Sequence, residues 1–168
     1  MSHTGDKNPF DGICPDRAAL WKILVHDDIE AFIDCDWERH AADFLPSAFF
    51  GIDAAGSLSP EGWSPAFGSL ADYRENWLGF AKKSASRARR EVLRQAHFAA
   101  SSLRRIEISG DFAMCVKHFD GEVTYADGSI ERLDWQTVYF CRKIAQGWRI
   151  AAFVGFLPTA GAGVPAAT

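Results

Sequence analysis

The last third of the chain reads as three long β-strands joined by tight turns, and this limits the possible folds more than any other feature. Ser109-Gly110-Asp111 breaks the pattern first, Asp127-Gly128 second and Ala145-Gln146-Gly147 third. Asp-Gly is among the strongest short-range hairpin signals, because both positions tolerate positive φ. The strands are expected over about 112–126, 129–144 and 148–157. Fifteen residues at about 3.3 Å each would span about 50 Å, too long for a flat sheet in a small domain, so the strands must bend. Gly121 is the expected bulge or kink.

Helical patterns precede the strands. Asp16, after Pro15, suits an N-cap, and Leu20, Trp21, Leu24, Val25, Ile29, Phe32 and Ile33 follow at helical spacing. Asp36 suits a second N-cap, with Trp37, His40, Ala41 and Phe44 on one face of the helix that follows. Pro46 ends it. Ala48 to Ala54, which includes Phe49, is a short apolar strand carrying Asp53 near its end. Residues 55–68, rich in Gly, Pro and Ser, form a loop long enough for a lid or pocket rim. A third helix is expected from about Ser69 to Ser84, with Leu70, Tyr73, Trp77 and Phe80 on one face. From about Arg90 the pattern turns to strand, running through His97 to Ile108.

A sheet that follows its helices predicts an α+β fold. The expected form is a cone of about three helices packed on a strongly curved, mostly antiparallel sheet of four to six strands, enclosing a pocket. Residues 15–158 form its one domain, preceded by a flexible N-terminus over 1–14 and followed by a disordered tail over 159–168.

With 168 residues the chain can bury a core without staples. A net charge of −4 does not favour nucleic acid. No apolar run approaches the length of a membrane span, and the polar start from Met1 to Asn8 lacks a secretion signal, so a cytoplasmic protein is expected. Cys14, Cys35, Cys115 and Cys141 show no C-x-x-C spacing; reduced thiols and no metal site are expected. Six Trp and 13 Phe mean either a bulky core or aromatic pocket walls for a flat, apolar ligand.

The order of elements resembles the nuclear transport factor 2-like (cystatin-like α+β) superfamily. Asp36-Trp37-Glu38-Arg39 and Gly147-Trp148-Arg149-Ile150 resemble its SnoaL-like members. Leu93-Arg94-Gln95-Ala96-His97-Phe98 and Arg142-Lys143-Ile144 are similar to segments of the scytalone dehydratase group, which expels water from a cyclic polyketide with two histidines on neighbouring strands. The resemblance puts His97 in the place of the first histidine and His118 in that of the second. It departs at Ala54, Phe32-Ile33 (with Asp34 one residue away) and Thr137, where that family has a tyrosine, a Tyr-Asp pair and an asparagine. Asp53-Ala54-Ala55-Gly56-Ser57 also resembles the stretch holding the proton-shuttling aspartate of ketosteroid isomerases, although this chain has no tyrosine before Tyr73.

The residues themselves fit such chemistry. His97 alternates with the small Ala99 and Ser101, which leave space beside it; His118 shares a strand face with Phe112, Met114, Val116 and Asp120. Near its ordinary pKa an imidazole takes a proton at neutral pH. The expected roles are His118 as base and His97 as acid or partner, with Asp34 or Asp120 fixing the tautomer. Either histidine could equally be a hydrogen-bonded core or surface residue. Asp53 is either a buried acid with a raised pKa or a turn cap. Asp134 is either a cavity partner of Arg132 or half of a solvated pair. Phe49, Tyr73, Trp77, Asp134 and Thr137 are the expected pocket residues. The basic run from Lys82 to Arg94 is either an anion-attracting patch or a solvated face.

The expected function is that of a cofactor-independent lyase, a dehydratase or cyclase acting on a small aromatic or polyketide-like compound. The alternative is a non-catalytic protein binding an apolar or aromatic ligand in the same cavity. A homodimer is expected, because open sheets of this type often pair.

Overall fold

The structure, a computed structural model, describes residues 4–159. The disordered tail expected beyond residue 159 lies outside them. The first helix, α1, runs Pro15–Trp21, continues as a π-helical stretch over Lys22–Asp27 and ends as Asp28–Asp34. Then follow α2 (Trp37–Ala41), β1 (Phe50–Asp53), β2 (Ser64–Phe67), α3 (Leu70–Ala85) and α4 (Arg90–Ala100). The chain closes with β3 (Ser101–Ser109), β4 (Phe112–Thr124), β5 (Ile130–Ile144) and β6 (Gly147–Leu157).

The six strands form one sheet in the order β2-β1-β6-β5-β4-β3. Every pairing is antiparallel except β1 with β6. The sheet is curved and open, with the helices against its concave face, as the α+β cone expectation requires. The register shifts between Gly51 and Asp53 where β1 pairs with β2, between Leu103 and Arg105 where β3 pairs with β4, and between Gln136 and Val138 and between Phe140 and Cys141 where β5 pairs with β6, the extra residues of these last two lying on β6.

Gly121 is no bulge: β4 and β5 stay in unbroken register through it, opposite Leu133. Glycine is needed there because a Cβ would stand 2.7 Å from Cβ of Ala100, at the end of α4. Close approach of helix to strand, not a kink, is its role.

Other expectations change as well, among them the loop over 55–68, which contains β2. The segment from Arg90 to Ala100 is helix, not strand. Leu93, His97 and Ala100 are buried along one face, while Arg90 and Arg94, one turn apart, both reach Glu30 of α1 (2.9 and 2.7 Å). Within the stretch expected to be flexible, Asn8 donates to the Ala18 carbonyl (2.9 Å) and Phe10 packs on the core.

Of the two expected N-caps one holds and one does not, and Ser69 supplies a further cap. Asp36 accepts from the backbone N–H of Arg39, and Ser69 from that of Asp72. Asp16 is no cap; it lies in the first turn of α1 and accepts from Lys143 and from the Trp148 indole.

Burial follows the layers. Leu20 and Leu24 of α1 pack on Ile106, Cys115, Cys141, Ile150 and Phe153 of the sheet. Toward the far end of the cone, Ile33 and Leu93 pack on Phe119, Val123, Tyr125 and Leu133. Between these layers the concave face is not filled. Among the described residues no helix is long and apolar enough to cross a membrane.

Candidate functional site

A cavity of about 220 Å³ opens inside the cone, between α1, α3, α4 and strands β4 to β6. Its walls are largely aromatic. Phe119 stacks on Trp135 (centroids 4.4 Å apart), Trp135 approaches Phe156, and Phe32 meets Trp77 edge-on. Phe156, at the rim, has φ 56°, a left-handed conformation that is costly for an aromatic residue and tends to gather at functional sites.

The floor is polar, and α1 and β4 build it. Leu20, Leu24 and Asp28 follow at four-residue intervals along the row of α1 that meets the sheet. The π-helical stretch between them has a wider turn, and such stretches recur at functional sites. On β4 the inward positions are Ala113, Cys115, Lys117 and Phe119, all buried. Lys117 is fully buried, lies opposite Thr137 of β5, and its Nζ donates to Oδ2 of Asp28 at 2.6 Å. Asp28 lines the cavity; so do Thr137, Tyr139 and Tyr73.

A second basic group stands behind Asp28. Nδ1 of His40, on α2, is 3.4 Å from Oδ1 of Asp28. The His40 ring is buried, stacked on Trp77 at 4.5 Å, and neither of its nitrogens has a hydrogen-bond partner among the described residues.

The ionisation of the floor follows from this arrangement. Burial pushes the Asp28 carboxyl up, but the Lys117 ammonium, with His40, pulls harder, and the net pKa lies below the usual carboxylate value. Burial lowers both His40 and His97 to about 4, so both rings are neutral at pH 7. For His97 the Lys117 charge adds to that effect and Asp28 opposes it. Burial, with Asp28 nearby, raises the Tyr73 and Tyr139 phenols, which keep their protons.

The structure divides the residues expected at the site. His97 lines the cavity from α4, with its ring 5.1 Å from that of Phe32; Tyr73, Trp77 and Thr137 line it too. His118 does not. It lies between inward Lys117 and inward Phe119, so the pleat turns it to the convex face, beside Ser102 and Gln136. The two imidazoles therefore do not share a hollow.

Asp120 and Asp134 are on that same outer face; Asp134 accepts from Thr159 at 2.8 Å, and Arg132 reaches Glu122 instead. Asp34 is held at the end of α1 by Arg90 (2.7 Å). Asp53 takes the turn-cap alternative, accepting from the backbone N–H of Ala55 at 2.7 Å. Phe49 is core, packed against Phe44, Tyr73 and Phe153, not cavity wall.

The basic run is neither a free patch nor simply solvated. Arg90 and Arg94 pair with Glu30, Asp34 and Asp6. Arg87 stacks on the Tyr125 ring at 3.7 Å and reaches Ser129 and Glu131; Tyr125, which also donates to Glu131, and Glu131 both line the cavity.

Asp28, Lys117, His40 and Tyr139 were not among the expected site residues. In the sequence Lys117 shares the alternation of Ala113, Cys115 and Phe119, but a lysine in that row does not by itself signal burial. Among the described residues no cluster of His, Cys, Asp and Glu is placed to hold a metal ion. The cysteines are free, with Cys115 and Cys141 buried in the core.

No family profile and no curated protein matches the sequence. Solved structures do match the fold. A nuclear transport factor 2-like protein with a cystatin-like fold from Novosphingobium aromaticivorans superposes with a TM-score of 0.62 at 12% identity, over 88% of this chain and 84% of that one. A superfamily protein from Salmonella enterica serovar Typhimurium gives 0.52 at 15% identity, over 85% and 91%. A second Novosphingobium aromaticivorans protein, carried under the provisional name of an aromatic ring hydroxylase, gives 0.52 at 19% identity, over 86% and 91%. Four helices on a curved, open six-stranded sheet, together with these neighbours, give the chain the fold of the nuclear transport factor 2-like superfamily.

Proposed function

We propose that this protein is a cofactor-independent lyase of the SnoaL-like, scytalone dehydratase-like kind, acting on a small aromatic or polyketide-like compound held in the cone. One observation carries the reading: a carboxylate kept ionised by a fully buried lysine sits on the floor of an aromatic-walled cavity. A buried charged pair in a hollow of ligand size marks a functional-site candidate, and the ionised carboxylate is free of a proton at neutral pH.

In the proposed reaction Asp28 takes the proton α to a substrate carbonyl, and the electron pair moves onto the carbonyl oxygen. A phenol such as Tyr139 holds that oxygen by donating to it. The electron pair then returns, the β-hydroxyl leaves, and the same Asp28 proton goes to it, releasing water. Neutral His97 orients the departing hydroxyl through a hydrogen bond. Lys117 is a positioning residue that sets the charge of Asp28. His118, Asp34, Asp53 and Asp120 have no part in this proposal, because they lie away from the cavity.

A suitable probe is 3-hydroxy-1-tetralone, whose dehydration yields 1-naphthol and is read by fluorescence. The expected result is turnover that falls by about 10²-fold or more in Asp28→Asn and within about twofold of wild type in His118→Ala. Equal rates in Asp28→Asn and wild type would overturn the role of Asp28.

The second reading is a non-catalytic binder of an apolar ligand. It is favoured by the aromatic walls and by the existing neutralisation of Asp28 by Lys117. It expects affinity without turnover, and affinity that survives His97→Phe.

Pairing of two copies belongs to the same proposal. Phe112, Phe140, Val138 and Phe50 lie on the convex face, with Phe50 and Phe112 exposed. Sedimentation of the full chain should give a dimer; a monomer at micromolar concentration would remove it. The cytoplasmic setting expected from the sequence is likewise part of the proposal.

A further inference from the structure

We propose that the cavity selects uncharged ring compounds and rejects carboxylates and ammonium ions alike, because each charge it presents already has a partner within the protein, buried at the floor and half-exposed at the mouth. The inference rests on the cavity being the ligand site proposed above.

The ionisable side chains lining the cavity, apart from the phenols, are Asp28, His97 and Glu131. Asp28 is paired with Lys117 at 2.6 Å and lies 3.4 Å from His40. Glu131, at the mouth, faces Arg87 at 3.5 Å and accepts from the Tyr125 hydroxyl. His97, buried against Phe32 beneath the same ammonium, carries no charge at neutral pH. What remains to meet a ligand is neutral: aromatic and aliphatic faces, the Asn76 amide, and hydroxyls that include those of Ser84, Thr137, Tyr73 and Tyr139.

A carboxylate entering this space meets Asp28 and Glu131 as like charges and must compete with Asp28 for Lys117. An ammonium gains attraction from the ring faces, but it loses its hydration shell beside Lys117 and finds no unpaired anion. Either charge therefore loses water without an uncompensated partner to replace it. A neutral hydroxyl or carbonyl loses less and finds donors and acceptors at the floor. The sorting lies in the Asp28–Lys117 pair, so breaking that pair should change the sign of the preference.

The test is calorimetric titration of the full chain at pH 7.4 with three probes of one shape: 2-naphthol, 2-naphthoate and 2-naphthylmethylammonium. The wild type should bind the naphthol at least about tenfold more tightly than either ion. Asp28→Asn, which leaves the Lys117 ammonium unpaired, should gain about tenfold or more for the naphthoate. If either ion binds the wild type as tightly as the naphthol, charge selection is overturned while the cavity remains a ligand site. Binding of none of the three overturns both this inference and the ligand-site reading beneath it. Should Asp28→Asn not fold, the order of the three probes on the wild type still decides.

Discussion

Lys117 and His118 are neighbours on β4, and the pleat sends them to opposite faces of the sheet. Inside, Lys117 is fully buried and paired with Asp28, and Asp28 in turn shifts the protonation of Tyr73, Tyr139, His40 and His97. Outside, His118, Asp120 and Asp134 are the same kinds of residue but lie on the convex face. Burial again leads in lowering the pKa of His118, helped by Arg104 and opposed by Asp120, but less strongly than for His97. The difference lies in solvent rather than in residue type. Water screens the outer groups, so their charges are cheap and weakly coupled. The inner groups have exchanged water for one another, and chemistry can be built only on the coupled set.

The largest test of this contrast is Lys117→Met. It strands the Asp28 carboxylate in the interior and should cost about 3–5 kcal/mol in urea unfolding, whereas His118→Ala on the outer face should stay within about 0.5 kcal/mol of wild type. Equal effects would erase the distinction between the faces.

The acid limb of stability comes next. His40 and His97 hold folded pKa values of about 4 against 6.5 unfolded. The unfolded chain therefore binds more protons between those values, and stability is lost as pH falls from about 6.5 toward 4. Each ring should account for about 1–3 kcal/mol of that fall. In thermal melts across this window, His40→Gln should flatten the limb and His118→Ala should change it far less.

Gly121→Ala tests the inner face by volume alone. Its new Cβ would meet that of Ala100, and a loss of about 1–3 kcal/mol is expected, against little for Asp120→Ala one residue away.

The last expected effect concerns Asp43, just after α2, where only partial burial lets solvent screen the charge. Burial first, then Asp27, raises its pKa to about 7, with Lys22 and Arg149 opposing. For a raised acid the folded state binds the extra proton, so its contribution is lost as pH rises through about 4 to 7. Asp43→Asn should raise Tm at pH 8 and leave it nearly unchanged at pH 5.

The long strands were legible because their turns are marked by residues that few other conformations want: Asp127-Gly128 and Ala145-Gln146-Gly147 sit where the structure turns. The inner face of β4 was not. Phe112, Met114 and Val116 make the outer row as apolar as Ala113, Cys115 and Phe119 make the inner one, and a lysine in the inner row argues for water. Only the partner, 89 residues away in sequence, reverses that argument. Asp28 was hidden for the related reason that His26-Asp27-Asp28 interrupts the apolar stripe of α1 and reads as a solvated face. Helix α4 was misread because Val92, Leu93 and Phe98 satisfy a strand pattern nearly as well as a helical one. The ion pairs of Arg90 and Arg94 with Glu30, which favour the helix, are tertiary.

The most direct test of the central claim is a ¹H–¹⁵N spectrum of the histidine rings during titration with 2-naphthol. The cavity's place inside the cone predicts that the His97 signals move with ligand while those of His118 stay fixed. Movement of His118 with His97 unchanged would put the ligand on the convex face and contradict the account.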